Sequence, residues 1–150
     1  MSDTVGDAML SELELLGERL RNAIDGVSQA QLDRVLERDT NSMVVLVTHT
    51  CGSLVDWLST AAGRSVPRDR DAEFRAKARS ANDLRQQIDR AWAAAPELVR
   101  AATSAGLQVV RRRSRDGVDQ NAAWCLAHAL KHTAEHVGQI ELTRQLVTRE

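Results

Sequence analysis

The sequence has no tyrosine, one phenylalanine and three tryptophans, so aromatic residues make up only 3% of it. That is too few for a surface that binds RNA or single strands by stacking bases on rings. Two prolines and eight glycines in 150 residues exclude a disordered chain, a linker array and a turn-rich β-sandwich. Two cysteines do not make a disulfide scaffold. No apolar run approaches the ~20 residues that a membrane helix needs. Neither sign of charge dominates: 20 basic and 21 acidic residues give a net charge of −1, whereas a general polyanion binder carries a large basic excess. Neither nucleic acid nor membrane is therefore an expected partner. Phosphate-cradling glycine loops, the GxSxG elbow and the Walker sequence are also missing, which leaves nucleotide chemistry and serine hydrolysis without support. The N-terminal stretch MSDTVGDAMLSELELLGERL is acidic and then amphipathic. It lacks the basic start and solid apolar core of a signal peptide, so the expected location is the cytoplasm.

What is present is helical. With 43% hydrophobic and 27% charged residues, a chain of this length suits one domain, 1–150. Four long segments repeat apolar residues three or four apart. The first runs from about Asp3 to Gly26, with Val5, Met9, Leu13, Leu16, Leu20, Ile24 and Val27 as its stripe. A short turn of helix follows at Ser28–Leu32, where Ser28 can cap. The second runs from about Ser42 to Ala62, capped by Asn41 or Ser42. Its β-branched start resembles a strand, but the apolar run continues through Trp57 and Leu58, too long for one. The stretch from Gly63 to Arg79 reads as a crossover with a helical turn near Ala72–Ala78. The third helix begins near Ser80, which has capping-box spacing to Asp83; Pro96 either kinks it or opens a second piece. From Gly106 to Gln120, Asp116-Gly117 signals a tight turn, and either a hairpin or a loop fits. The fourth helix runs from about Asn121 to Thr148. The fold class is all-α, a single-domain four-helix bundle.

Four histidines are the informative residues. His49 lies mid-way along the second helix; His128, His132 and His136 follow one another at single-turn spacing on the fourth. Two imidazoles at i and i+4 can converge on one ion, and a third from a facing helix completes a three-His cap with open positions. Such a site suits Zn, Ni, Fe or Mn. The competing reading is a set of hydrogen-bonded core histidines. Thr133 follows His132, so the HExxH arrangement with its glutamate base is absent.

The segment Leu46-Val47-Thr48-His49-Thr50 followed by Trp57-Leu58, the residues Arg68-Asp69-Arg70 with Glu73-Phe74, and above all the block from His128 through His132 and His136 to Gly138-Gln139-Ile140 resemble the DinB/YfiT-like family of metal-binding four-helix bundles. The likeness spans about Leu10 to Leu146. It implies that His49, His132 and His136 are the metal ligands and that His128 is a neighbour that does not touch the ion. Two departures stand out. Val137 lies where many members carry His or Arg, and Leu54 occupies a position often acidic in the family, with Asp56 slightly later. The family includes thiol-dependent S-transferases and a mycothiol-dependent isomerase. The resemblance thus implies a metal-dependent enzyme that transfers or isomerises with a low-molecular-weight thiol, of the mycothiol or bacillithiol type, acting on a small electrophile. Metal-assisted hydrolysis and a non-enzymatic bundle with a structural or vestigial site are the alternatives. A homodimer formed through an exposed helix face is the expected assembly.

Other residues carry two readings each. Asp56, two turns after His49, either orients a ligand beside the site or is a surface or capping acid. Glu135 either accepts a ring N–H or is a solvated acid. Arg111, Arg112, Arg113 and Arg115 form either a solvated loop or an electropositive rim, in which Arg112 and Arg113 attract an anionic co-substrate. Cys51 lies about 200° round the helix from His49 and cannot share its ion. Cys125 reads as a small core residue. Trp57, Trp92 and Trp124, on three different helices, read as core or cavity wall.

Overall fold

A computed structural model describes residues 3–149; of the domain reading over 1–150, Met1, Ser2 and Glu150 lie outside the described residues. Helix α1 spans Thr4–Ile24, and the Asp3 side chain caps it by accepting the Gly6 amide at 3.0 Å. Met9, Leu13, Leu16, Leu20 and Ile24 are buried along its stripe. Val5 departs from that stripe and is 54% exposed, because the inward place in the first turn belongs to Gly6. Gly26, at φ +69°, ends the helix in the left-handed region. The short helix α2, Gln29–Asp33, starts on a full capping box between Ser28 and Gln31.

Helix α3, Met43–Ala61, forms despite its β-branched start and is buried along most of its length. Ser42 stands at its N-cap without a side-chain capping bond. The helical turn in the crossover, α4, falls earlier than the sequence suggests, at Arg70–Glu73, because the Asp69 carboxylate caps the Ala72 amide at 2.9 Å. Helix α5, Ala81–Ala105, begins at the Ser80 cap and continues through Pro96 as one helix. The segment after it is a hairpin: β1, Val110–Arg112, pairs antiparallel with β2, Asp119–Asn121, in the register Arg111↔Gln120. Gly117, at φ +69°, makes the turn. Helix α6, Ala122–Val147, follows at once, capped by the Asn121 side chain on the Trp124 amide at 2.8 Å.

The four long helices form a bundle in which α3 packs against α5 and α6, and α1 packs against the same two. The sequence expectation of an all-α four-helix bundle is the observed architecture, with the hairpin added. Leu13, Leu20, Ile24, Met43, Leu54, Leu58, Ile88 and Ile140 are fully buried at its centre. Each contributes roughly 1.5–3 kcal/mol relative to an exposed side chain. Trp92 locks α5 to α1: its indole N–H donates to the Leu13 carbonyl at 2.6 Å. It lies so close to Gly17 that a Cβ there would approach its Nε1 to 2.5 Å.

Gly138 is different. It is exposed inside α6, and an added Cβ would meet nothing within 4 Å. Gly138→Ala is therefore expected to stabilise the protein by about 0.5–1 kcal/mol, raising the melting temperature by roughly 1–4 °C. A lowered melting temperature would mean that Gly138 serves a contact outside this chain.

Candidate metal centre

The face shared by α3 and α6 carries the histidines. His49 points from α3 with 6% exposure, and His132 and His136 come from α6 half-buried. One nitrogen from each can be chosen so that all three lie within 4.8 Å of one another. The Nε2 atoms of His132 and His136 are 3.3 Å apart. Metal–nitrogen bonds of about 2.0–2.1 Å at tetrahedral angles place two ligand atoms about 3.3–3.4 Å apart, so this pair is already at ligand spacing. The three rings therefore fit a divalent transition metal.

Two of the remaining ring nitrogens are tied back. His136 Nδ1 lies 2.7 Å from the side-chain oxygen of Gln139. His49 Nδ1 lies 2.9 Å from Oε2 of Glu73. Each Nδ1 thus faces an oxygen acceptor, and a ring protonated there leaves its Nε2 lone pair for an ion; Arg68 Nη2 also lies 3.4 Å from His49 Nδ1. Burial and the neighbouring imidazoles push His132 down to about 4, so its ring is neutral and available as a ligand at neutral pH. Burial lowers His136 and His128 as well.

His128 stands outside this group. It lies between Trp124, stacked at 4.7 Å, and His132, at 5.7 Å, with Trp57 at 4.5 Å. Of the three tryptophans, Trp57 and Trp92 are buried, and Trp124 is 41% exposed.

Behind His49 runs a buried chain of charges. Arg68 donates to both carboxylate oxygens of Glu73, at 2.7 and 2.9 Å, and to Asp56 Oδ2 at 3.0 Å. Asp56 Oδ2 also accepts Nε and Nη2 of Arg113, at 3.1 and 2.9 Å. Arg113 continues to Asp116 at 3.1 Å, and its guanidinium lies 3.9 Å from the centre of the Trp57 ring. Burial acts to raise Glu73, but the hydrogen bonds from His49 and Arg68 outweigh it and hold the carboxyl below its ordinary value. Its partners likewise hold Arg68 above its ordinary value, against the effect of burial.

These contacts correct several sequence expectations. Asp56 is no surface or capping acid: it is 2% exposed and held by two guanidinium groups. Arg113 is no part of an open rim, being buried on Asp56. Elsewhere in the run, Arg111 donates to the Ala61 carbonyl at the end of α3, and Arg112 pairs with Asp119 at the surface. Arg112 is exposed but not free. Glu135 faces solvent on Lys131 at 2.9 Å and makes no bond to a ring nitrogen. Sequence reasoning missed Glu73 as a partner of His49. The available signal was the spacing of Arg68 and Glu73 in an otherwise solvated crossover, with no helix period to link them to His49.

Both cysteines are free and buried. Burial pushes Cys51 up to about 12, helped by the charge of Glu73, and also raises Cys125. Neither joins the three-His group.

A family model described as the DinB superfamily matches residues 12–140. The chain belongs to the DinB superfamily. A crystal structure of a DinB-like protein from Bacillus cereus superposes with a TM-score of 0.72 at 14% identity, covering 93% of this chain and 91% of that one. That likeness establishes the superfamily fold. No curated protein matches the sequence. No helix among the described residues is long and apolar enough to cross a membrane.

Proposed function

We propose that His49, His132 and His136 hold a divalent transition metal and that the chain uses it to join, or isomerise with, a low-molecular-weight thiol of the mycothiol or bacillithiol type. The carrying observation is the convergence of three ring nitrogens within 4.8 Å, two of the rings being held by an acceptor at Nδ1. An ion bound there supplies a Lewis acid that lowers the pKa of a thiol placed beside it.

The chain's own chemistry favours a thiol from outside. Cys51 and Cys125 are kept protonated by burial, so neither is a nucleophile. A hydrolase needs a free base near the site. Glu73 is engaged by His49 and Arg68, Asp56 by two arginines, and Glu135 by Lys131. Trp124, partly exposed beside His128, offers an electrophile an apolar surface one step from His132.

The test is conjugation of monobromobimane to mycothiol or bacillithiol by the purified protein. Chelation is expected to lower the rate by more than about tenfold, and Zn, Ni, Fe or Mn to restore it. Metal-loaded protein that turns over no biological thiol would replace this reading with hydrolysis or a non-enzymatic role.

A further inference from the structure

We propose that Glu73 is a positioning residue for the metal centre: it fixes the proton of His49 on Nδ1, and Gly52 is the vacancy that admits it. The proposal rests on the three-His reading above and adds the device that presets one of its ligands.

Three observations carry it. The His49–Glu73 contact is buried at both ends, with side-chain exposures of 8% and 9%, so water does not compete for it. The carboxylate is not free to turn, because Arg68 grips both of its oxygens and is itself anchored on Asp56. Finally, a Cβ at position 52 would lie 2.1 Å from Glu73 Oε1, inside any permitted contact. Gly52 has no need of special backbone freedom in mid-helix, where glycine costs about 1 kcal/mol relative to alanine. Its value is the space it leaves for this carboxylate.

The chemistry follows from donor and acceptor roles. Arg68 offers only N–H donors, so Glu73 must face it with oxygen. An ionised carboxylate still has a second oxygen to accept the Nδ1 proton of His49, which leaves Nε2 as the ligand atom. A glutamine at 73 has one oxygen and one amide nitrogen. Arg68 would take the oxygen, the amide would donate to Nδ1, and the ring proton would move to Nε2, blocking the ligand atom. A swap of acid for amide behind a catalytic histidine acts through the wrong tautomer in the same way. Loss of such an outer partner typically weakens metal binding 10–100-fold.

The experiment uses the full chain. Zn affinity is measured by competition with a chromophoric chelator, and the His49 tautomer of the metal-free protein by two-bond nitrogen–proton NMR at neutral pH. Wild type is expected to bind one Zn and to carry the His49 proton on Nδ1. Glu73→Gln is expected to bind Zn about 10–100-fold more weakly and to move that proton to Nε2. A merely structural ion pair would leave the tautomer unchanged. Gly52→Ala, which keeps every charge and displaces the carboxylate, is expected to weaken Zn in the same direction and covers the case in which Glu73→Gln does not fold. Equal affinities with an unchanged tautomer overturn the proposal, as does an Nε2 proton on His49 in wild type. If wild type takes up no Zn, the three-His reading fails and this proposal with it. That outcome is distinct from tight binding in both proteins, which sinks only the role of Glu73.

Discussion

His132→Ala is expected to lower metal affinity by more than about 100-fold, because losing an outer partner of a ligand already costs 10–100-fold and this change removes the ligand itself. His132 lies 3.3 Å from His136 through their Nε2 atoms, and its ring is 5.3 Å from that of His49. No other histidine can step in, since His128 is stacked on Trp124 and lies outside the converging set. The metal-free variant should fold well, as it loses a half-buried ring that burial already keeps neutral. The contrast appears on adding metal. At a concentration 100 times its dissociation constant, an ion stabilises wild type by about 2.7 kcal/mol, or roughly 5–10 °C in a chain of this size. The variant should show no such rise. Elemental analysis of both as-purified proteins gives the second readout, and equal metal content would remove His132 from the ligand set.

Asp56→Ala should cost about 3–5 kcal/mol, the largest stability loss expected from any single change outside the apolar core. Asp56 is 2% exposed and accepts from both Arg68 and Arg113. Its removal takes the shared acceptor from two buried guanidinium groups, leaving Arg68 with Glu73 alone and Arg113 with the partly exposed Asp116. The cost arises from those buried cations more than from the attraction lost, so replacing Asp56 and Arg113 together by Leu and Met should recover part of it. Asp116→Ala supplies the comparison. It also pairs with Arg113, but its side chain is 31% exposed, and its loss should cost no more than about 1 kcal/mol. Denaturant midpoints measure all three. If Asp56→Ala and Asp116→Ala cost the same, Asp56 is not the hub of the buried chain.

Asp56 also shows where sequence reading reaches its limit. Its place two turns after His49 follows from helix period alone, and so does its membership of the same face. Whether that face meets water or two arginines depends on the crossover and the hairpin, which reach it from 12 and 57 residues away. The arginine run illustrates the same point in reverse. Four arginines in five residues look like a solvated or substrate-facing patch, yet folding sends Arg111 to the end of α3 and Arg113 into the interior. The hairpin itself was half legible: Asp116-Gly117 marked the turn, but strands of three residues carry too short an alternation to be read.

The scarcity of tyrosine, proline and glycine already left an amphipathic helical chain as the remaining class; four apolar stripes mark its long helices, and the side chains of Asp3, Ser28, Ser80 and Asn121 cap the starts of α1, α2, α5 and α6. These are local facts, fixed by a 3.6-residue period and by side chains that bond amides three residues away. The i, i+4 spacing of His132 and His136 is local in the same sense, and so the pair is determined by sequence alone. The tertiary structure decided what stands opposite the pair and behind it. His49 meets them only because α3 packs on α6. Glu73 reaches His49 only because α4 folds back over a glycine. Contacts between residues 24 to 87 positions apart leave no periodic trace in the chain, and they exist only once the bundle has closed.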